Sequence, residues 1–310
     1  MLKLVIKYLY SPIINFFLNF HQIDLVSNKS LIKKIKFLPD FKHNVNIQKS
    51  LLEWHDNLNQ IKKNLLKYSL KRFLCWKVIN NTMFFNDSLA TKIEHKYLIK
   101  SDFLKNYGEK ILYESSVGSP TYSSYLIKSS SNLIHHAYHL SVFEKLSMKK
   151  IKDHKTIIEF GGGYGSMCRL IYQTGYTGTY IIYDFEHFNI IQNYYLKSIG
   201  LKLNVKIVKK FTQLKKNKYI YLVSDLNVLK KILKKNSKTL FLSTWGFSEC
   251  PVELRFFFIN IIKNSHSLLL AFQKKFNHIN NFNYFKSIFF RKKTVLKKID
   301  HIKNNFYLIR

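Results

Sequence analysis

Residues 156–185 read TIIEFGGGYGSMCRLIYQTGYTGTYIIYDF. Thr156 to Phe160 is a short apolar, β-branched run, the pattern of a strand buried on both faces of a parallel sheet. The turn Gly161-Gly162-Gly163-Tyr164-Gly165 follows. Ser166 to Thr174 then reads as a helix closed by Gly175, and Thr179 to Tyr183 as a second buried strand ending on Asp184. Strand, glycine turn, helix, strand and acid make up half of a nucleotide-binding βαβ unit. Glycines allow positive φ and close approach of a ligand to the backbone. The helix start behind them offers N–H groups without intrahelical partners. An acid at the tip of the second strand can accept the hydroxyls of a ribose, and Asp184 stands at about the offset from the glycines that this requires.

The glycine spacing narrows the nucleotide. A dinucleotide fingerprint places a third glycine where this chain has Ser166 or Cys168. What the chain carries is E-x-G-x-G-x-G, formed by Glu159, Gly161, Gly163 and Gly165 with Gly162 inside it. That pattern resembles motif I of the class I S-adenosylmethionine-dependent methyltransferases. The resemblance implies that the glycines lie under the methionine and ribose portion of S-adenosylmethionine.

The chain has 310 residues, 46% of them hydrophobic, enough for one large domain or two modest ones with a sizeable core. Its net charge of +33 invites a nucleic-acid reading. Only Arg72, Arg169, Arg255, Arg291 and Arg310 among the 51 basic residues are arginine, however. Arginine is the preferred residue for bidentate phosphate and base recognition, whereas lysine is a solvated point charge. Abundant Asn, Ile, Phe and Tyr accompany the lysines, as AT-rich codons would specify. No nucleic-acid partner is expected, and the cationic surface favours anionic lipid or glycan instead. Cys75, Cys168 and Cys250 are too widely spaced for a disulfide framework or a metal site and fit a reducing cytoplasm. The N-terminal MLKLVIKYLYSPIINFFLNF is apolar but broken by Lys3, Lys7 and Pro12. It reads as a core helix or as a segment lying on the inner membrane, giving peripheral contact, and not as a span.

Along the chain, residues 1–150 form a mostly helical region expected to cover the acceptor. Leu51 to Phe73 and Leu89 to Tyr107 have apolar residues at helical spacing, and Trp54 and Trp76 read as core. A loop, Glu114 to Tyr122, precedes a helix capped by Ser131 or Asn132 that carries His135, His136 and His139. His135 and His139 share a face, but no third ligand accompanies them, so no metal is expected. One imidazole of the three, His136 in particular, is a candidate to face the substrate.

Residues 151–310 are expected to form the cofactor-binding domain, with strands at Val205–Val208, Tyr219–Val223, Thr239–Ser243 and Leu268–Phe272. Thr294 to Ile299 and His301 to Ile309 then pair as a terminal antiparallel hairpin. Such a hairpin separates the methyltransferase sheet from the dinucleotide-binding one. The polar stretch Thr244 to Pro251 follows a strand end, where ligands of open α/β sheets sit. It contains one ionisable group, Glu249, a candidate base for a hydroxyl acceptor or else a helix cap.

The blocks Glu159 to Gly165, Tyr183-Asp184-Phe185, Val223 to Asn227 and Ser243 to Pro251 resemble, in this order, the sugar O-methyltransferases of bacterial surface-polysaccharide clusters. The Glu114 loop and the histidine helix are similar to that group's as well. The likeness spans about residues 110–310. It implies an α/β fold with a Rossmann-like class I methyltransferase sheet. It also implies Phe185 and Asp225 as further cofactor contacts, Asp225 alternatively being a plain helix cap. The implied activity is transfer of a methyl group to a sugar hydroxyl of O-antigen or capsule, the acceptor being nucleotide-, lipid- or polymer-linked. Oligomeric state is left open. Rival readings are an RNA methyltransferase, a catalytically inactive Rossmann module and a nucleotide-sugar dehydratase or reductase.

Overall fold

The computed structural model describes residues 49–123, 128–210, 218–233 and 238–310. The N-terminal stretch read above as core helix or membrane-surface segment lies outside them. Among the described residues no helix is long and apolar enough to cross a membrane.

The β-branched and aromatic runs become eight strands in one sheet: β1 (Thr156–Phe160), β2 (Thr179–Tyr183), β3 (Asn204–Val208), β4 (Tyr219–Val223), β5 (Thr239–Thr244), β6 (Ser267–Gln273), β7 (Val295–Lys298) and β8 (Asn305–Ile309). Their order is β3-β4-β2-β1-β5-β6-β8-β7. The pairs from β3 to β6 are parallel. β8 runs antiparallel between β6 and β7, so the expected terminal hairpin closes that edge. From β1 the chain moves outward to β2 and later returns on the other side as β5. The switch in strand order therefore falls between β1 and β5, and the crevice at their carboxyl ends is where this architecture places a ligand.

Helices cover both faces. The described part begins with α1 (Lys49–Lys67), α2 (Lys77–Met83), α3 (Ser88–Ile99), α4 (Asp102–Tyr107) and α5 (Ser131–Ser147). The glycine turn leads into α6 (Ser166–Gln173), and α7 (Glu186–Ser198) follows β2. One core cluster joins α1 to α7 with alternate strand residues such as Ile157, Tyr180, Leu240 and Tyr307. The opposite sheet face, with Ile158, Phe160, Phe241 and Leu270, is covered by α8 (Leu226–Ile232), α9 (Gly246–Glu249), α10 (Val252–Asn264) and α11 (Asn281–Phe289). The helical region before residue 150 thus shares its core with the sheet.

Two sequence expectations change in detail. The segment Leu89–Tyr107 is two helices, because Ser101 caps α4 by accepting from Leu104 N–H. The cap of α5 is Ser130, whose hydroxyl accepts from Leu133 N–H at 3.1 Å. The Asn132 side chain reaches 47 residues back instead, accepting from Phe85 N–H and donating to the Met83 carbonyl.

A buried ion pair fastens the helical region to the glycine-turn helix. Arg169 of α6 donates to Glu114 Oε1 at 3.1 Å and to the Tyr113 carbonyl, and Ser130 donates to Glu114 Oε2. Both charged side chains are almost wholly buried. Removing one member of such a pair strands the other charge in a dry interior. Arg169→Met is expected to lower stability by about 3 kcal/mol, read from the shift of the urea midpoint at unchanged slope.

Candidate functional site

A cavity of about 680 Å3 opens at the carboxyl ends of β1, β2 and β5. It lies within the range of small-molecule sites. Its floor is the glycine turn. A Cβ on Gly162 would stand 2.6 Å from Ile182 Cγ2, so no larger residue fits between the turn and β2. Gly161 has φ of 76°, and a Cβ there would meet the Gly246 Cα at 3.4 Å, at the close approach of the β1 and β5 loops. Gly163 donates its N–H to Asp184 Oδ2 at 3.1 Å. Gly165 does not line the cavity. It caps α6 in a left-handed conformation and packs on Leu196 of α7.

Asp184 is held by more than the turn. Phe185 N–H donates to Oδ1 at 2.8 Å, and the Gln192 amide donates both to Oδ2 at 3.0 Å and to the Gly163 carbonyl at 2.9 Å. Gln192 thereby ties α7, the β2 acid and the glycine turn into one unit. Desolvation outweighs these donors and pushes the Asp184 carboxyl up to about 7. Glu159, buried at the end of β1, accepts from Tyr180 O–H at 2.9 Å. Burial, with Asp184 nearby, pushes it up to about 8.

One end of the cavity is aromatic. Phe185 packs on Trp54 of α1 with ring centroids 5.8 Å apart, and Phe188 closes behind them. Trp54, expected in the core, is therefore a cavity wall that the helical region supplies. Asp225 lies outside the cavity. It is exposed and caps α8, its Oδ1 accepting from Asn227 and Val228 N–H as the capping alternative has it. Its neighbour Ser224 is what lines the wall.

The other end is the polar wall. Glu249 faces the cavity at the end of α9 and accepts from the Gln273 amide at 3.1 Å. It is not a helix cap, since α10 starts behind Pro251 without a side-chain cap. Arg255, fully buried, fixes the loop by donating to the Cys250 and Ser248 carbonyls and to Asn281. His136 lines the cavity from α5, and its Nδ1 has no hydrogen-bond partner among the described residues. Burial pushes its pKa down to about 3, so the ring is neutral at neutral pH. The Tyr164 and Ser166 hydroxyls also lie in the cavity wall, close to each other and to Asn132.

Behind this wall runs a buried chain with little sign in the sequence. Tyr307 O–H meets His139 Nδ1 at 2.5 Å, and His139 Nε2 meets His135 Nε2 at 3.1 Å. His135 Nδ1 meets Glu94 Oε1 at 2.6 Å, which His301 Nε2 also reaches at 2.9 Å. One set of neutral tautomers satisfies every link, each N–H or O–H pointing toward Glu94. Burial depresses both the His135 and the His139 pKa, which suits neutral rings. The His135 ring is sandwiched between Phe85 and Trp245, with centroids 3.8 and 5.0 Å away. Trp245 has φ of 62° and ψ of −45°, outside the ordinary range for a bulky residue. Its indole N–H donates to Asn305 Oδ1 at 2.7 Å, which over-determines that backbone. His135 and His139 thus hold each other. Among the described residues no three His, Cys, Asp or Glu side chains are grouped as a metal ion would require.

No family model matches this chain. No curated protein matches it either. Similar solved structures include the mitomycin 7-O-methyltransferase MmcR, 10% identical over 74% of each chain at a TM-score of 0.34. PigF, solved with SAH, is 10% identical over 77% of this chain and 76% of that one, at 0.36. Human N-acetylserotonin methyltransferase in complex with SAM is 9% identical over 86% of this chain and 99% of that one, at 0.30. Superpositions this loose leave the function to be argued from the site's own chemistry.

Tyr307→Phe removes one hydroxyl from the buried chain and leaves His139 Nδ1 without its donor. Thermal or urea unfolding is expected to show a loss of about 1 to 2 kcal/mol. A variant as stable as the wild type would mean that the chain does not hold the wall.

Proposed function

We propose that this protein binds S-adenosylmethionine and methylates a hydroxyl group, the acceptor being a sugar. One observation carries the first half. Asp184 is clamped across the glycine turn at the switch point, and the same cavity continues to an unpaired imidazole and a carboxylate. The residues present fit the cofactor. Gly161 leaves room where a Cβ would fill the crevice, and Asp184 can accept from ribose hydroxyls. Phe185 and Trp54 offer an apolar slot for a purine. Tyr164 and Ser166 carry hydroxyls beside the start of α6, suited to the amino-acid portion.

When bound, the cofactor supplies an electrophilic sulfonium methyl group. The chain's own task is to hold an acceptor hydroxyl in line with it at near-attack distance and to dispose of the hydroxyl proton. Glu249 and His136 do not share that task equally. A ring whose pKa is pushed to about 3 is a poor destination for a proton, but its lone pair can orient an O–H. Glu249 is the group to take the proton. The sugar assignment rests on the sequence blocks at residues 223–227 and 243–251. A wall with several polar side chains suits a polyol better than an aromatic substrate.

Calorimetric titration with S-adenosylhomocysteine, NAD and NADP tests the cofactor. Binding of the first alone is expected, lost in a folded Asp184→Ala variant. Ligand hydroxyls donate to the ionised carboxylate, so binding favours loss of the Asp184 proton. With that group near 7 in the free protein, affinity should fall as pH drops below about 7, approaching about tenfold per pH unit. An affinity flat from pH 5 to pH 8, values on the order of the window set by that shift, would remove Asp184 from the ribose site.

For the chemistry, Glu249→Gln is expected to lower turnover about a hundredfold or more with little change in S-adenosylhomocysteine affinity. His136→Asn should cost less, about tenfold, and chiefly in acceptor KM. Wild-type turnover of the Glu249 variant on an accepted sugar would assign the base elsewhere.

A further inference from the structure

The helix α10, VELRFFFINIIKN, starts at the cavity and leaves it along the surface. Pro251, just before it, and Leu254, in its first turn, line the cavity. Its buried positions are Arg255, Phe258 and Ile262, at the spacing of one helical face. The opposite face carries the exposed polar residues Glu253, Asn260, Lys263 and Asn264, but two aromatic residues interrupt it. Phe256 and Phe257 stand outward, 62% and 48% exposed.

A phenylalanine pair standing this far out of the surface is costly in water and asks for an occupant. The neighbouring charges say which kind. Lys230 of α8 holds its ammonium 4.4 Å from the centre of the Phe257 ring. Lys231 beside it is exposed, and Glu253 is the acid in the first turn of α10. Aromatic side chains flanked by lysines, on a protein of net charge +33, suit the boundary between acyl chains and anionic headgroups. There the rings enter the apolar layer while the ammonium groups stay at the phosphates.

We infer that the α8–α10 face is a docking surface for an anionic lipid bilayer, with Phe256 and Phe257 as its anchors and Lys230 and Lys231 as its headgroup contacts. Docking there is independent of the methyl-transfer chemistry. Resting on the proposed function, it carries one consequence: the mouth of the cavity, one helical turn from the anchors, lies beside the lipid surface, which favours a lipid-linked acceptor.

The full-length protein would be sedimented with vesicles of pure phosphatidylcholine and of phosphatidylcholine mixed with phosphatidylglycerol, at low and moderate salt. Binding to the anionic vesicles alone is expected, weakening as salt rises. The double variant Phe256→Ser/Phe257→Ser should lose about tenfold or more in partitioning, and Lys230→Glu/Lys231→Glu a similar factor. Each variant should keep the wild-type unfolding midpoint and S-adenosylhomocysteine affinity, which separates docking from folding and from the cofactor site. No binding by the wild type, or binding untouched by the phenylalanine pair, would overturn the assignment. So would a concentration-dependent dimer that the phenylalanine variant disperses, because the face would then be an interface between two copies.

Discussion

Glu94 has no exposed surface, yet three layers of the protein meet on its carboxylate. It comes from α3, receives His135 of α5, and receives His301 from the turn before β8. A buried carboxylate that lost either partner would cost several kcal/mol through desolvation alone, roughly the scale of an unpaired interior charge. Burial already raises its pKa despite the imidazoles around it. The helical region, the histidine helix and the terminal hairpin are therefore held in one arrangement. In that arrangement Trp245, stacked on His135, takes its unusual backbone conformation. Glu249 follows four residues later, so the position of the candidate base traces back to Glu94.

This explains what could be read from residues alone. The sheet was legible because its strands are short apolar runs, buried on both faces, ended by glycine or acid at the spacing a βαβ unit needs. The terminal hairpin was legible for a similar reason, through apolar runs on either side of a turn-rich stretch. Asp184 was legible because its distance from the glycines is set by one helix and one strand. The partners of Glu94 were not, because His301 lies 207 positions away and nothing local marks either residue. Gln192 was hidden differently. It sits inside an amphipathic helix where a glutamine is unremarkable, and only the approach of α7 to the glycine turn gives it a role. Trp54 reads as core in any helix with such spacing, and its place in the cavity depends on how α1 crosses α7. For Asp225 the ambiguity was chemical, since an acid after a strand can cap the next helix or bind a ligand. In the fold its Oδ1 caps the helix, accepting from Asn227 and Val228 N–H.

The two ends of the cavity differ in origin, and this bears on what each can do. The glycine turn, Asp184 and Phe185 come from one βαβ unit whose geometry is fixed by the parallel sheet register. The opposite wall is assembled from the Met83–Phe85 segment, α5 and the loop after β5. Asn132 fixes the first of these by bonding Phe85 N–H and the Met83 carbonyl, and Arg255 fixes the last. A ligand common to many proteins needs only the first wall. An acceptor peculiar to this one must be recognised by the second.

Unmatched polar atoms occur along the cavity and elsewhere in the fold. Buried donors and acceptors normally find partners, though several here have none among the described residues, Glu94 Oε2 and both Asn189 side-chain atoms included. On the acceptor side of the cavity His136 Nδ1 has none among the described residues. Such a group costs about 1 to 3 kcal/mol if left dry, and at a cavity a ligand can relieve it. An acceptor hydroxyl can satisfy it, whereas an apolar substrate would leave it stranded. His136 Nδ1 therefore favours an acceptor with a hydrogen-bond donor at that point, on physical grounds separate from the sequence blocks that first pointed to a sugar.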